Sequence, residues 1–495
     1  MTRLSLAALP HLPDAVARPA YDVAAARIGI VHLGLGAFHR AHQALYVEDR
    51  LNAGEEGWAI CGVSLRSPDT RDALAPQDGL YTVLERSGEG TRARVVGALR
   101  RLLVAPEDPQ AVIAAMADPA VRIVSLTITE KGYCHDPATG RLRADHPDIV
   151  HDLARPESPK SAPGFLAAAL ARRRAAGVAP FAVLCCDNLP ANGRTVRQVV
   201  IDFAQRLDPA LAEHVAANVA FPSTMVDRIV PATTDADRAD ARRLTGFEDL
   251  WPVSTEPFTQ WVIEDAFGGP RPRFEAAGAT TTRDVAGYEA MKLRLLNGSH
   301  STMAYLGYLA GHETIADAIA DPVFAALVRG QMVEEMEPTL AVPAGADVRA
   351  YEAQLLERFA NPALRHRAWQ IAMDGSQKIP QRWLGPIRAH LAAGRPFPRL
   401  ALALAGWIAY ASGRDERGGE IDVRDPLAGR FAEIAAQAGG DVAARVEGFL
   451  AVREVFGEDL GTDERVRAAA IDAARRLAQE GARGAVAALV DRLSR

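Results

Sequence analysis

Apolar runs with the length of strands alternate with helical segments over the first half of the chain. Four runs are mostly apolar, as buried strands of a parallel sheet are, and they lie at 27–36, 58–66, 121–129 and 180–188. Between them, apolar residues recur at helical spacing over 37–54, 111–119 and 163–178. Strands that alternate with helices predict an α/β domain built on a doubly wound parallel sheet.

The second half of the chain has a different pattern. From about residue 285, segments with helical periodicity follow one another, and few runs alternate like a strand. We therefore predict a first domain over 1–284 and a mostly α-helical second domain over 285–495. The apolar stretch 400–412 is too short to span a bilayer and is predicted to be a buried helix, whereas 412–426 is predicted to be an exposed loop or hairpin.

Composition and charge narrow the possible functions. The net charge of −6 gives no basic footprint for nucleic acid and no polybasic patch for a membrane surface, so we expect a small-molecule partner. Residues 1–19 are interrupted by Pro10 and Pro13, which makes a poor signal peptide and favours an extended arm. The four cysteines form no CxxC pair, so we expect reduced buried thiols, no zinc site and a cytoplasmic location.

A glycine-containing turn follows the first predicted strand, in the segment VHLGLGAFHRAH. Gly34 permits a tight turn, Gly36 lets backbone N–H groups approach a pyrophosphate, and His39 stands where a dinucleotide fingerprint has its third glycine. The alternatives are a turn that binds no ligand, or a metal held by His39 and His42, for which this segment lacks a carboxylate or cysteine partner. The candidate cofactor-binding residues here are Gly34, Gly36, Phe38, His39 and Arg40.

The residues after the second predicted strand select between the two nicotinamide cofactors. NAD requires an acid that accepts hydrogen bonds from the ribose hydroxyls, and Asp69 is the candidate. Arg66 lies close by in the sequence and would instead suit the 2′-phosphate of NADP. We expect NAD, with NADP as the alternative.

Three polar residues interrupt the apolar pattern of the helical segment EAMKLRLLNGSHSTMAYLGYLAG, residues 289–311. At about 100° per residue of an α-helix, Asn297 lies roughly 140° and His300 roughly 80° from Lys292, so all three occupy one arc. A partly buried lysine has a lowered pKa and can act as the acid or base when a hydride moves between a secondary alcohol and a nicotinamide. Asn297 would then donate to the developing alkoxide, and His300 would hold a neighbouring hydroxyl. The alternative is a lysine that extends to solvent beside two polar side chains that satisfy core hydrogen bonds.

Seven motifs together resemble one known family. They are GIVHLGLGAFHRAHQA, SLTITEKGYC, CCDNLPANG, FPSTMVDRIVP, EPFTQWVIED, MKLRLLNGSHS and DGSQKIPQR. This set is similar to the mannitol dehydrogenase family, the long-chain, metal-independent group of polyol and hexuronate dehydrogenases. The similarity extends from about residue 20 to the C-terminus.

The resemblance implies roles in chemistry for four residues. Lys292 would be the general base in oxidation and the general acid in reduction. Asn188 and Asn297 would form the oxyanion pocket, and His300 would orient the substrate. Asn188 also falls at the end of a predicted strand, where open α/β sheets bind their ligands.

The resemblance also implies the surroundings of the reaction. Asp227 and Lys378 would line the substrate site, and Glu130 would lie beside a water path that relays the proton of Lys292. Catalysis would take place in a cleft between a Rossmann-like first domain that binds NAD and the helical second domain. The family is often monomeric, so we expect a monomer.

Two departures from the mannitol 2-dehydrogenase pattern bear on the cofactor and the substrate. Pro68 precedes Asp69 where an acidic pair is common, and Gln370 stands where an arginine is common. The segments RHRAWQIAMDGSQKIPQR and TEKGYC look more like the fructuronate reductase branch, which reduces fructuronate to mannonate. A hexuronate requires a cation for its carboxylate, and Lys131 is preferred among Lys131, Arg228, Arg365, Arg367, Lys378 and Arg382. A mannitol or other polyol dehydrogenase is the runner-up.

Two other classes of function are compatible with parts of the sequence. A non-catalytic dinucleotide sensor would share the fold, but the intact set of Lys292, Asn297, His300 and Asn188 argues against it. A zinc-dependent alcohol dehydrogenase requires a cysteine and histidine ligand set that this sequence lacks.

Overall fold

The structure is a computed structural model that describes residues 2–136, 139–364 and 366–495. The chain divides into two compact units, Met1–Ala286 and Gly287–Arg495. The division falls where the hydrophobic pattern changes from alternating strands and helices to helices alone.

The first unit contains three sheets. In chain order their strands are β1 (Ile28–Leu33), β2 (Ala59–Ser64), β3 (Tyr81–Ser87), β4 (Gly90–Val96), β5 (Leu99–Val104), β6 (Ile123–Leu126), β7 (Ala182–Cys185), β8 (Thr224–Asp227), β9 (Val253–Thr255), β10 (Gln260–Glu264) and β11 (Thr280–Thr282). The largest sheet has five parallel strands in the order β5-β2-β1-β6-β7. Because the strands are parallel, their carboxyl ends meet at one edge of the sheet, which is where such sheets bind ligands.

Helices of the first unit connect these strands. They are α1 (Ala37–Ala41), α2 (Gln43–Asn52), α3 (Asp69–Leu74), α4 (Pro109–Ala117), α5 (Pro147–Ala154), α6 (Ala162–Ala175), α7 (Asn192–Leu207), α8 (Pro209–Asn218) and α9 (Asp235–Thr245). Alternate residues of β1 enter two separate cores, since Val31 and Leu33 pack in one cluster and Ile30 in the other. Both faces of the sheet are therefore buried, and the predicted doubly wound parallel sheet is confirmed.

The prediction of a single helix over 37–54 is wrong in one respect, because the segment forms two helices. Its path breaks at His42, whose backbone has φ −129° and ψ −90°, so α1 ends at Ala41 and α2 begins at Gln43. The His42 ring lies in the core, with Nε2 2.9 Å from the carbonyl oxygen of Gln260. The segment contains no proline or glycine that would have predicted this break.

Two small sheets were not predicted. Their strand orders are β4-β3-β9 and β11-β10-β8, and each contains an antiparallel pair. A sequence signal existed for the first of them, because β3 and β4 are joined by only Gly88 and Glu89, a hairpin connection. The strand that completes the large sheet, β5, follows directly from this hairpin.

The N-terminal residues are not the extended arm that their prolines predicted. Leu6–His11 form a short 3-10 helix, and the backbone N–H of Leu4 donates to the carbonyl oxygen of Glu248 at 2.9 Å. Leu4, Leu12 and neighbouring apolar residues are buried in a small core of their own against β3 and β4. Burial of this apolar surface outweighs the preference of isolated prolines for an extended chain.

The second unit is mostly α-helical, as predicted. Its helices are α10 (Val285–Met291), α11 (Ser299–Thr302), α12 (Ile315–Ala320), α13 (Pro322–Gly330), α14 (Val348–Phe359), α15 (Ala368–Ala372), α16 (Gly375–Ile379), α17 (Gly385–Ala392), α18 (Pro398–Ala411), α19 (Ala428–Ala438), α20 (Val442–Leu450), α21 (Arg453–Phe456) and α22 (Glu464–Leu493). Helix α18 is the buried helix predicted over 400–412. In the part of the chain that the structure describes, no helix is long and apolar enough to cross a membrane.

Among the described residues of the second unit, four π-helical segments interrupt the helices. They are Lys292–Gly298, Met303–Gly307, Gln331–Met336 and Pro380–Leu384. The first two lie in one continuous helical run that begins at Val285. π-Helical turns are rare and occur often at functional sites.

Candidate active site

A cleft of about 870 Å³ opens at the carboxyl edge of the parallel sheet. Four connections line it, namely those that follow β1, β2, β5 and β6, at 34–36, 64–67, 105–106 and 127–129. This volume lies in the range of pockets that hold a cofactor. The cleft is therefore the place in the first unit that fits a dinucleotide.

The turn after β1 needs a glycine at its first position. Gly34 has φ +92°, and a Cβ added to it would lie 2.2 Å from the carbonyl oxygen of Thr127. Gly36 has an ordinary φ of −113°, and a Cβ there would meet only the carbonyl oxygen of Gly34, at 3.8 Å. The two predicted glycines thus differ, because Gly34 is required by the fold and Gly36 leaves open space toward the cleft.

A buried histidine supports this turn. The Thr127 hydroxyl donates to the carbonyl oxygen of Gly34 at 2.9 Å, and His32 Nε2 lies 2.8 Å from the same hydroxyl oxygen. Since Thr127 gives its only proton to Gly34, His32 Nε2 carries a proton, and Nδ1 accepts from the Ser125 hydroxyl at 2.8 Å. Burial lowers the pKa of His32 to about 3, so the ring is neutral.

Three other residues predicted to bind the cofactor follow this turn in the chain but do not line the cleft. The rings of His39 and His32 stack with centroids 3.4 Å apart, and Arg40 donates to the carbonyl oxygen of Trp251. Both His39 and Arg40 are buried in the core rather than placed along the cleft. The half-buried Phe38 stacks on the ring of His42, with centroids 5.0 Å apart.

The connection after β2 presents a cation and two hydroxyls to the cleft. Arg66, Ser67 and Thr70 line it, whereas Asp69 is exposed at the start of α3 and accepts a hydrogen bond from the Ser67 hydroxyl at 2.8 Å. Asp69 is thus next to the lining residues rather than among them.

Two candidate residues follow β6 on one short turn. Glu130 and Lys131 open the 3-10 helix Glu130–Tyr133, and Lys131 lines the cleft while Glu130 is exposed. Asn188 follows β7, the neighbour of β6, and its side chain is exposed. The sheet therefore brings Glu130, Lys131 and Asn188 to one edge, as the carboxyl ends of neighbouring parallel strands require.

Asp227 belongs to a different sheet of the same unit. It is the last residue of β8, is 4% exposed, and pairs in register with Gln260 of β10. Its neighbour Arg228 is engaged by structure, because the guanidinium bonds to Glu85 Oε1 at 2.7 Å and to the carbonyl oxygen of Glu256. Of these two, Asp227 stays a candidate for substrate, while Arg228 ties together strands of the unit.

In the second unit, one helical run presents the three polar residues that sequence analysis singled out. Lys292 opens the first π-helical segment and is 6% exposed, Asn297 is half-buried near its end, and His300 is 7% exposed in α11. A π-helical hydrogen bond joins residues five apart, so Lys292 and Asn297 lie on successive turns of one face. The angle of roughly 140° between Lys292 and Asn297 that an α-helix predicts is therefore too large.

Side chains of the π-helical segment Pro380–Leu384 donate hydrogen bonds to the helical run that contains Lys292–Gly298. Arg382 Nη1 donates to the carbonyl oxygen of Asn297 at 3.1 Å and to the Ser301 hydroxyl at 2.8 Å. Trp383 Nε1 donates to the carbonyl oxygen of Gly298 at 3.1 Å. These bonds satisfy carbonyl groups whose helical partners are displaced, which stabilises the irregular helix.

Positively charged groups surround His300. Burial lowers its pKa well below the ordinary value, and a further lowering comes from the neighbouring imidazole of His366 and from the charges of Arg358, Arg382 and Lys378. The ring packs against Phe359 and His366, with centroid distances of 4.7 and 5.3 Å. Burial also lowers the pKa of His366, to about 4. Both imidazoles are therefore neutral near pH 7 and can donate or accept a hydrogen bond.

The motif DGSQK places Lys378 beside this histidine pair. Asp374 has φ +56°, which turns the chain into α16, and Lys378 Nζ donates to the carbonyl oxygens of Met373 and Ile371 at 2.6 and 3.2 Å. Gln370 is exposed on α15. Shifted pKa values, burial and charge thus concentrate around one helix, as they do at functional sites.

The remaining cation candidates differ in their surroundings. Arg367 is exposed and pairs with Glu313 at 3.2 Å, and Arg365 lies outside the described residues. Neither Arg358 nor His366 was predicted as a site residue, although His366 lies inside the segment RHRAWQIAMDGSQKIPQR. What marks them is their position beside His300 in the folded chain, because they belong to elements that are far from His300 in the sequence.

The first unit has a cleft that fits a dinucleotide at the edge of a doubly wound sheet, and the helical second unit has a buried lysine between apolar neighbours. These two features are typical of nicotinamide-dependent dehydrogenases. Residues 28–276 match the mannitol dehydrogenase Rossmann domain, and residues 284–478 match the mannitol dehydrogenase C-terminal domain. The chain belongs to the mannitol dehydrogenase family.

Relatives and solved structures cover nearly the whole chain. D-mannonate oxidoreductase of Escherichia coli K12 is 46% identical over 96% of this chain and 98% of its own length. Mannitol 2-dehydrogenase of Phaeosphaeria nodorum is 44% identical over 95% of this chain and 82% of its own length. The ternary complex of Pseudomonas fluorescens mannitol 2-dehydrogenase with NAD and D-mannitol has a TM-score of 0.87 and 41% identity, and the alignment covers 99% of both chains.

Proposed function

We propose that the protein is a metal-independent, NAD(H)-dependent oxidoreductase that interconverts fructuronate and mannonate. The cleft of the first unit fits a dinucleotide, and the mannitol 2-dehydrogenase with the same fold is a complex with NAD. NADP(H) is the alternative cofactor, and Arg66 is the lining residue that would meet its 2′-phosphate. The proposed active species is a monomer, which light scattering of the purified protein tests.

The proposed chemistry moves one hydride and one proton. A bound nicotinamide supplies the hydride to the ketone carbon in reduction and accepts it in oxidation. Lys292 gives a proton to the ketone oxygen in reduction and removes it from the hydroxyl in oxidation. Asn188 and Asn297 donate to that oxygen while its charge develops, and His300 binds a neighbouring hydroxyl.

The remaining candidates have roles around this step. We assign to Glu130 the exchange of the Lys292 proton with solvent through water. Asp227 and Lys378 are assigned to the hydroxyl groups and the carboxylate of the substrate, respectively. Lys131 is the alternative partner of the carboxylate.

One observation supports a carboxylate-bearing substrate in particular. Lys378, Arg382 and Arg358 all act on His300 as positive charges. A group of three cations next to a proposed substrate histidine, with Arg358 buried and Lys378 and Arg382 half-buried, favours an anionic substrate over a neutral polyol. A specific observation also favours the second candidate, mannitol 2-dehydrogenase, because the P. fluorescens enzyme of that activity shares the fold over nearly the whole chain.

The test is NADH oxidation with fructuronate and with fructose, side by side, for the wild type, Lys378→Met and Lys131→Met. A charge-assisted hydrogen bond is worth about 1.5–3 kcal/mol, so losing the carboxylate partner should reduce kcat/KM for fructuronate about 10- to 100-fold. The same variant should change kcat/KM for fructose much less. NADPH replaces NADH in a parallel series to compare the cofactors.

Arg367→Ala is the matched control, because Arg367 is an exposed cation of the same unit that already pairs with Glu313. It should leave the ratio of the two activities unchanged. Turnover of fructose with little turnover of fructuronate would reject the hexuronate assignment and favour the polyol dehydrogenase. An equal loss with both substrates in Lys378→Met would show that Lys378 does not recognise a carboxylate.

A further inference from the structure

One buried carboxylate joins the two loops that present candidate residues at the sheet edge. Asp187 precedes Asn188, and its two carboxylate oxygens accept the backbone N–H groups of Ile128 and Thr129 at 2.9 and 3.0 Å. These amides belong to the connection after β6, which leads directly to Glu130. A single side chain from the loop after β7 therefore holds the loop after β6.

The held loop contains a strained residue. Thr129 has φ +65° and ψ 161°, a region that only glycine visits readily and that costs a β-branched residue on the order of 1–3 kcal/mol. Such a conformation persists only where surrounding contacts fix it. The contacts on its amide side come from Asp187, which accepts the N–H of Thr129 itself.

A tyrosine completes the attachment. The Tyr133 hydroxyl donates to Asp187 Oδ2 at 2.6 Å, and its oxygen lies 2.9 Å from Cys185 Sγ. Tyr133 closes the turn that begins at Glu130, so Asp187 binds both ends of that turn. Burial raises the pKa of Asp187, while the three donors oppose that rise and favour the carboxylate.

The backbone of Asp187 is fixed as well, by the side chain of Asn192. Asn192 Nδ2 donates to the carbonyl oxygen of Asp187 at 3.1 Å and to that of Thr224 at 2.8 Å. Asn192 Oδ1 also accepts the N–H of Thr224 at 2.9 Å. The residue before Asn188 is thus anchored by its side chain to one loop and by its carbonyl to another strand.

We propose that Asp187 is a positioning residue that sets Glu130 and Asn188 together, by holding the strained loop after β6 against the turn after β7. This inference rests on the proposed function, in which Glu130 and Asn188 act in catalysis. Asp187 itself touches backbone amides and a tyrosine hydroxyl. Its effect on turnover is therefore indirect and passes through its neighbours.

The experiment combines a double-mutant cycle with amide exchange in the full-length protein. Asp187→Ala, Glu130→Gln and the double variant are compared in NADH-dependent reduction of fructuronate and fructose. Asp187→Ala should lower kcat about 10- to 100-fold with KM within about threefold, and the double variant should be no slower than the slower single variant. Deuterium exchange at the amides of Ile128 and Thr129 should become faster, while NADH binding persists.

Tyr133→Phe is the matched control, because it removes one donor to Asp187 but leaves both backbone contacts. Its kcat should stay within about threefold of the wild type. Losses that multiply in the double variant would show general destabilisation and overturn the proposal, as would unchanged exchange at Ile128 and Thr129. If the wild type reduces neither substrate, the proposed function fails, whereas the exchange measurement still decides whether Asp187 holds the loop.

Discussion

The two units place functional groups in different ways. In the first unit, the cleft is lined mainly by connections that follow parallel strands, and its shape depends on backbone at Gly34 and Thr127. In the second unit, side chains of one irregular helix are brought together by π-helical turns and by donors from Arg382 and Trp383. Backbone edges suit a ligand with phosphates and ribose, while a cluster of side chains suits proton transfer.

The two sites are held in place by different kinds of contact, so they should respond differently to substitution. The strands at a sheet edge are fixed by a ladder of backbone hydrogen bonds, whereas the loops that follow them depend on particular side chains, as the loop after β6 depends on Asp187. A distorted helix depends on a few specific donors, since each displaced carbonyl must find a partner elsewhere. Substitutions at the turn after β1 and on the helix that carries Lys292 should therefore separate binding of the cofactor from the chemical step.

The largest expected effect comes from Lys292→Ala. Loss of the proposed general acid and base should lower kcat about 10²- to 10⁴-fold, because the reaction loses the group that gives and takes its proton. NADH binding, measured by fluorescence titration, should be unchanged, and added primary amines should restore part of the activity. Full activity of Lys292→Ala would mean that this helix has only a structural role.

The next effect separates two glycines of the first unit. Gly34→Ala should weaken NADH binding about 100-fold and lower the melting temperature, because its Cβ would overlap the carbonyl oxygen of Thr127 and φ is +92°. Gly36→Ala is the control for folding, since its Cβ meets nothing closer than 3.8 Å. It should melt like the wild type yet bind NADH more weakly. Normal NADH binding by Gly36→Ala would show that no phosphate approaches that backbone.

The smallest effect is a pH dependence of stability in the first unit. The pKa of His32 is about 3 in the folded protein, below its ordinary value of 6.5, so the unfolded chain takes up a proton first as pH falls. The stabilising contribution is present above pH 6.5 and should decrease by about 1 kcal/mol between pH 6.5 and 5.5. Denaturant unfolding of the wild type and His32→Gln measures it. Parallel pH profiles of the two proteins would contradict the buried neutral ring.

Much of the first unit was predictable because its signals are local. Mostly apolar runs predicted β1, β2, β6 and β7, and the glycine spacing located the turn at Gly34. His39 and Arg40 belong to the same motif, but their side chains are buried in the core, since the short helix α1 ends at Ala41 and the chain path breaks at His42. The contact between Asp187 and the loop after β6 could not be predicted, since the partners lie about 58 residues apart in sequence.

The polar residues of the candidate site in the second unit stand out in the sequence, but their geometry does not. Lys292, Asn297 and His300 stand out as polar residues on an apolar background, which any reading of periodicity finds. The π-helical turns leave no comparable mark, because they arise from tertiary contacts such as those of Arg382. Arg358 and His366 escaped notice for the same reason, since only folding brings them to His300.

The π-helical segment Lys292–Gly298 has a consequence for how the family can change over evolution. A wider turn contains one more residue than an α-helical turn, so the segment is equivalent to a single-residue insertion. Deleting one residue between Lys292 and Asn297 would restore an ordinary helix and rotate everything after it relative to the lysine. The distance between Lys292, the proposed proton donor, and Asn297, a proposed oxyanion donor, therefore depends on the length of the chain as well as on residue identity. Alignments of relatives should show no gaps in this stretch.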